Sequence, residues 1–184
     1  IESYEKARVI AKSIKKEIGE KEKLTCSVGI APNKLVAKIA SDAQKPDGLT
    51  IVTEEKIQEF LTPLHIRKLP GIGPKAEGVL KELKIETIGQ LAQANEGVLK
   101  QVFGNAWGTY LHAAAQGISE EEVKEKTEVK NISRRMTFDK DTSEESKLGK
   151  ALEALTDEIG NDMEAYGRTR FKTVTLIIRY EDFE

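Results

Sequence analysis

The sequence is poor in the residues that staple or anchor a protein. Its one cysteine, Cys26, has no partner for an internal disulfide, which fits a reducing compartment and so predicts a cytoplasmic setting. The two histidines, His65 and His112, stand far apart, and a Cys/His zinc site needs more ligands. No apolar run reaches the ~18 residues of a membrane-spanning helix. No basic-then-apolar leader opens the chain, so no secretory signal is expected. Aromatic residues are 5% of the 184, too few for a platform that stacks single strands. An excess of basic charge is missing as well. The formal net charge is −2, which taken alone argues against a nucleic-acid partner. What is present is 39% hydrophobic and 33% charged residues, with the apolar ones in periodic blocks, which excludes disorder. The length suits one ordinary domain or two to three small ones.

Charge is unevenly spread. Residues 1–53 hold ten Lys/Arg against seven Asp/Glu, residues 54–128 nine against twelve, and residues 129–184 ten against twelve. The basic first block therefore differs from the rest, and a boundary is expected near Thr53.

In that block, Ala7, Ile10, Ala11, Ile14 and Ile18 follow helical spacing over residues 4–18, with Gly19 as the expected stop. Leu24–Ile30 reads as a buried strand that holds Cys26 in the core. Asn33 can cap a helix over 34–43. Lys45-Pro-Asp-Gly48 has turn composition, and Leu49–Val52 reads as a second strand. Two strands do not make a stable sheet, so the block reads as the end of a larger α/β domain. Residues 54–118 contain five short helical patterns and no convincing strand, and predict a compact all-α unit. The charge-rich stretch 119–130 reads as a linker. Residues 131–184 predict β-α-β: a strand over Arg134–Asp139, a helix over Ser146–Met163, and a strictly alternating strand over Lys172–Tyr180. The expected class is α+β and multi-domain.

The most informative local motif is Leu69-Pro-Gly-Ile-Gly-Pro-Lys75. Gly71 and Gly73 make a tight turn between helices, permit backbone angles denied to other residues, and remove side chains from its surface. Pro74 fits the first helical position. The free N–H groups of the next first turn then point outward with the helix dipole behind them, a ready phosphate site to which Lys75 adds a charge. The pattern is that of a helix-hairpin-helix, which holds DNA backbone without reading sequence; a plain αα-hairpin with a glycine turn is the bland alternative. Such a grip touches few phosphates and should be weak alone and salt-sensitive.

In the basic block, Lys34, Lys38 and Asp42 are spaced by four and share a helix face, either a solvated face with an i,i+4 pair or part of a site. Lys45 follows on a loop held by Pro46 and Gly48, beside strand ends, a common place for an anion contact. Here the sequence becomes specific. The run CSVGIAPNKLVAKIASDAQKPDGL resembles the late palm motif of the Y-family, lesion-bypass DNA polymerases, in the DinB (DNA polymerase IV) branch. LPGIGPK about 20 residues later is similar to that family's thumb, as are TIGQLAQA and FGNAWGTYLHAAAQGI. SRRMTFDKDT and KTVTLIIRY look like the start of its little finger. The order is right over nearly the whole chain.

The resemblance implies residues 1–53 as the C-terminal part of a palm, 54–118 as a thumb with a helix-hairpin-helix, 119–130 as a linker, and 131–184 as the N-terminal part of a little finger. It implies template-directed DNA synthesis past lesions, with primer–template DNA and an incoming deoxynucleoside triphosphate as partners, and possible contact with a sliding clamp. Lys45 matches the lysine that contacts the triphosphate. Gly71, Ile72, Gly73 and Lys75 match the thumb hairpin on DNA phosphates. Arg134 and Arg135 match the first little-finger strand along DNA, and alternation puts them on opposite faces, so only one is expected to reach phosphate. Ser27, Asn33, Lys34 and Lys38 match the palm motif and can brace its sheet. The family's Mg²⁺ ions are held by carboxylates that this sequence does not contain, so no catalytic or metal residue is assigned here, and the chain reads as part of a polymerase. The remaining alternatives are a non-catalytic module that holds duplex DNA through the hairpin, and a scaffold that never meets nucleic acid. Trp107 and Tyr110 read as thumb core rather than as base-stacking groups.

Overall fold

The computed structural model of the chain describes residues 3–125 and 129–180. It divides into two compact units, Ile1–Val123 and Lys124–Glu184. Residues 126–128 of the expected linker lie outside the described residues.

The first unit begins with helix α1, Tyr4–Glu22, whose Ser3 hydroxyl accepts from the Lys6 N–H as an N-cap. Gly19 does not stop it. The exposed last turn is laced by Lys16–Glu20 and Glu17–Lys21 pairs, and the helix ends at Lys23, which takes the left-handed φ of 57°. Only Ala7 and Ala11 of the expected apolar stripe are buried, while Ile10 and Ile14 stay about half exposed. The two strands that α1 packs against are too few to cover the whole stripe.

Those strands are β1, Val28–Ile30, and β2, Leu49–Ile51, paired in parallel with Val28 opposite Leu49 and Ile30 opposite Ile51. Helix α2, Lys34–Ala43, joins them as the crossover of a β-α-β unit. The first strand is shorter than its apolar run predicts. Leu24 is exposed, and Cys26 is half-buried ahead of the strand rather than inside it, because β2 offers only three residues to pair with. Gly29 permits close helix-on-strand packing: a Cβ there would come 2.1 Å from the Ala37 carbonyl oxygen. Asn33 caps α2 by accepting from the Val36 N–H at 3.0 Å.

Helices α3 (Ile57–Leu61), α4 (Pro74–Glu82), α5 (Ile88–Gln93), α6 (Glu96–Phe103) and α7 (Asn105–Ala115) follow. α5 opens with a capping box in which Thr87 and Gln90 exchange hydrogen bonds. α6 and α7 pack closely because Gly108 has no side chain; a Cβ would lie 2.5 Å from the Lys100 nitrogen. One continuous cluster of buried side chains runs from Leu35, Val36 and Ile39 of α2 through Leu61, Ile66, Leu80 and Leu91 to Leu111 and Ala114 of α7. The core therefore crosses Thr53 without a break.

In the second unit the described residues contain one helix, α8, Glu145–Ala165, and no strand. The predicted β-α-β is corrected to a helix whose described flanks form no regular element. Leu148 and Leu152 are exposed, and so are Val174, Leu176, Ile178 and Tyr180. Alternation marks which face a strand would bury, but a ladder needs paired N–H and C=O groups, and two short segments alone are marginal in water.

Candidate nucleic-acid interface

The hairpin turn is built from Leu69 to Lys75. Leu69 and Ile72 are buried and anchor it, and the Ile72 N–H donates to the Leu69 carbonyl at 3.2 Å. Gly71 takes a φ of +94°, which side-chain-bearing residues avoid. Gly73 does not: its φ is −88° with ψ near 180°, ordinary extended backbone. The sequence expectation that both glycines supply unusual angles is thus corrected for Gly73. Its lack of a side chain instead leaves the surface open, since a Cβ there would meet nothing within 4 Å.

Pro74 begins α4, and no side chain caps that helix. Among the described residues nothing accepts from the Lys75 and Ala76 N–H groups, and the exposed Lys75 has no acidic partner. These donors and the positive end of the α4 dipole face the same open turn.

Two aromatic residues more than thirty positions later hold this turn in place. Trp107 and Tyr110 stack with ring centroids 4.7 Å apart and planes 17° from parallel. The Tyr110 hydroxyl donates to the Pro70 carbonyl at 2.9 Å. The Trp107 ring lies directly under Gly71, where a Cβ would sit 2.4 Å from Cη2. Burial pushes the Tyr110 phenol pKa up. Both residues are half-buried, which agrees with a packing role, but their use as a seat for the hairpin carried no sequence signal beyond aromatic type.

Acidic charge beside the hairpin is occupied. Glu77, in the first turn of α4, meets Lys81 at 2.9 Å, Arg67 at 3.6 Å and His65 at 3.8 Å. The hydrogen bond from Lys81 holds the Glu77 carboxyl below its ordinary range, and Glu77 in turn raises Lys81. The one carboxylate of that turn thus points its charge at cations rather than at the open N–H groups.

Lys45 stands on a bend of residues 45–48, joined to Pro46 by a cis peptide, and its side chain is 62% exposed. Its Nζ meets Asp42 Oδ1 at 2.5 Å, while Lys38 Nζ meets Asp42 Oδ2 at 2.5 Å. The Lys38 and Lys45 hydrogen bonds lower the Asp42 pKa to about 2. Lys34 pairs with Glu121, so it is not a bare cation either. Ser27 accepts from the Gly48 N–H at 3.1 Å and Asn33 donates to the Gly117 carbonyl at 2.7 Å, both bracing contacts.

In the second unit Arg134 is taken up by α8, with Nε 3.1 Å from Glu158 and Nη2 against Asp162. Arg135 is exposed and has no acidic partner among the described residues. No group of three His, Cys, Asp or Glu side chains among the described residues could hold a metal ion. No helix there is long and apolar enough to cross a membrane.

Comparison with known proteins covers all three blocks. The impB/mucB/samB family model matches residues 1–42, the DNA polymerase-iota thumb domain model residues 67–119, and the impB/mucB/samB C-terminal domain model residues 129–184. DNA polymerase IV 2 of Methanosarcina mazei is 41% identical over 183 residues, covering 100% of this chain and 49% of the relative. DNA polymerase IV of Nitrosopumilus maritimus is 47% identical over 141 residues, or 77% of this chain and 39% of the relative. The chain thus spans about half the length of the curated relatives it matches. Among solved structures, DinB from Sulfolobus solfataricus superposes with a TM-score of 0.63 at 34% identity, covering 86% of this chain and 46% of that one. An insertion ternary complex of Dbh DNA polymerase gives 0.66 at 34% identity, covering 87% and 46%. The three family models in one order, the thumb hairpin and these relatives place the chain in the DinB (DNA polymerase IV) family of Y-family DNA polymerases.

Proposed function

We propose that this chain is the palm-end, thumb and little-finger portion of a lesion-bypass DNA polymerase, and that its own task is to hold primer–template DNA and the phosphates of the incoming nucleotide. Residues 1–53 are the C-terminal part of the palm, 54–118 the thumb, 119–130 the linker and 131–184 the first part of the little finger. The observation that carries the reading is the open hairpin turn: free Lys75 and Ala76 N–H groups, an unpartnered Lys75, and no side chain at Gly73. That is a seat for one or two backbone phosphates, with the dipole of α4 behind it. Arg135 is the free arginine of the little-finger pair and takes a phosphate contact, whereas Arg134 is neutralised by α8.

Lys45 contacts the triphosphate, where a fixed ammonium offsets charge that moves toward the leaving pyrophosphate. The Lewis-acid chemistry that phosphoryl transfer needs would have to come from metal ions held elsewhere in such a polymerase. The described residues here do not fit such a site, so their part is binding and positioning.

Primer extension by the full-length protein with Mg²⁺ and deoxynucleotides tests the reading. Extension is expected from the full-length protein and not from residues 1–184 alone, which should only hold duplex. A full-length protein that cannot extend a primer overturns it. Lys75→Glu should weaken duplex binding and lower its salt slope by about one. Lys45→Ala should raise the nucleotide KM with primer–template affinity intact; loss of DNA binding instead would show the lysine misassigned.

A further inference from the structure

The loop that carries Lys45 is held by a lysine from a distant helix. Lys15 lies on α1 with only 16% of its side chain exposed. Its Nζ donates to the Cys26 carbonyl at 2.5 Å, to the Asp47 carbonyl at 3.0 Å, and to the Asp47 carboxylate. An ammonium has three protons, and these three acceptors use all of them. A helix-surface lysine ordinarily keeps its head in water. This one turns inward and joins two separate segments, the run into β1 and the loop into β2.

The same loop is fastened at Gly48. Its N–H donates to Ser27 Oγ at 3.1 Å, and its carbonyl accepts from the Val28 N–H at 3.0 Å. It is also folded tightly onto the end of α2, where a Cβ on Gly48 would come 2.3 Å from the Gln44 carbonyl oxygen. The far half of the loop is therefore fixed, and Lys45 projects from its near half. Because Asp47 gives its carboxylate to Lys15, the loop presents no free negative charge to an arriving anion.

We propose that Lys15 is a positioning residue for Lys45, fixing the 45–48 loop and so the place where the Lys45 ammonium meets the triphosphate of an incoming nucleotide. This rests on the assignment of Lys45 to nucleotide binding. Lys15 touches no substrate; it acts through Asp47 and the loop backbone.

The test uses the full-length protein in single-nucleotide incorporation at saturating primer–template. Nucleotide KM, kcat, primer–template Kd and melting temperature are measured for Lys15→Met, Lys15→Arg, Asp47→Ala, Lys45→Ala and the Lys15→Met/Lys45→Ala double variant. Lys15→Met should raise nucleotide KM about tenfold, a scale set by small misplacements of positioned groups, with primer–template Kd unchanged. Asp47→Ala should move KM the same way by less, and Lys15→Arg should restore most of the loss. Adding Lys15→Met to Lys45→Ala should raise KM no further, because one residue works through the other. An unchanged KM in both Lys15→Met and Asp47→Ala, or independent multiplying effects in the double variant, overturns the proposal. If Lys15→Met fails to fold, Asp47→Ala alone decides, since it keeps both carbonyl contacts of Lys15. A Lys45→Ala protein with normal nucleotide KM instead removes the assignment of Lys45 itself, a different failure from a normal Lys15→Met beside a defective Lys45→Ala.

Discussion

The two hairpin glycines should respond oppositely to the same methyl group. Gly71→Ala places a side chain at a φ of +94°, with its Cβ 2.4 Å from Trp107 Cη2. The left-handed backbone costs roughly 1–3 kcal/mol. Relieving the overlap pushes the indole off its stack with Tyr110, at a cost of roughly 1–3 kcal/mol for overpacking. Together the loss should be roughly 2–6 kcal/mol, at or above the top of the usual range for one substitution. Gly73→Ala meets nothing within 4 Å at an ordinary backbone angle, so its stability should stay within about 0.5 kcal/mol of the parent. Its methyl nevertheless sits where a phosphate would approach, so duplex affinity should fall. Urea unfolding followed by the fluorescence of the one tryptophan reads the first effect from directly beneath Gly71. Anisotropy of labelled duplex over a salt series reads the second. Equal stability losses in the two variants, or a Gly73→Ala protein with unchanged duplex affinity, would refute the geometry argued for the turn.

Other outcomes follow from the same contacts. Tyr110→Phe removes the hydrogen bond to the Pro70 carbonyl and should cost about 1 kcal/mol in urea unfolding, with weaker duplex binding at unchanged salt slope. Asp42 has its carboxyl pKa lowered from 3.8 to about 2, so the contribution of its pairing with Lys38 and Lys45 is complete above about pH 4 and is lost as pH falls toward 2. Carboxyl-carbon NMR of the folded protein should give that low midpoint, and a midpoint at the ordinary value would contradict the pairing. Arg135→Ala should reduce the salt slope of duplex binding by about one, whereas Arg134→Ala should leave it nearly unchanged and loosen α8 instead. Reversed effects would show that the α8 carboxylates do not occupy Arg134.

Local signals served the sequence reading well where one residue type has one physical use. Asn33 reads as a cap and caps α2; the Pro-Gly-Ile-Gly-Pro run reads as a turn into a helix and is one. Thr87 with Gln90 closes a capping box at the start of α5, inside a segment whose helical pattern was legible. The reading failed where a distant partner decides. Gly19 carries helix because charged pairs span it, not because of its own preference. The alternating runs of 134–139 and 172–180 lack a ladder among the described residues, and alternation cannot supply one. The support of Gly71 by Trp107 and the hold of Lys15 on Asp47 join residues more than thirty positions apart, and no spacing rule reports such contacts. Lys45 was placed on its loop from turn composition, but its shared carboxylate was visible only once α2 and the loop were folded together.

The double duty of Asn33 bears on movement. Its Oδ1 accepts from Val36 while its Nδ2 donates to the carbonyl of Gly117, just beyond α7. One amide is thus both the cap of the crossover helix and the tether of the last thumb helix. Losing the bond to Gly117 would leave the amide free to turn and would weaken the cap on the first turn of α2. The end of α7 and the start of the crossover helix are thus joined through a single side chain, each of its two hydrogen bonds worth about 1 kcal/mol.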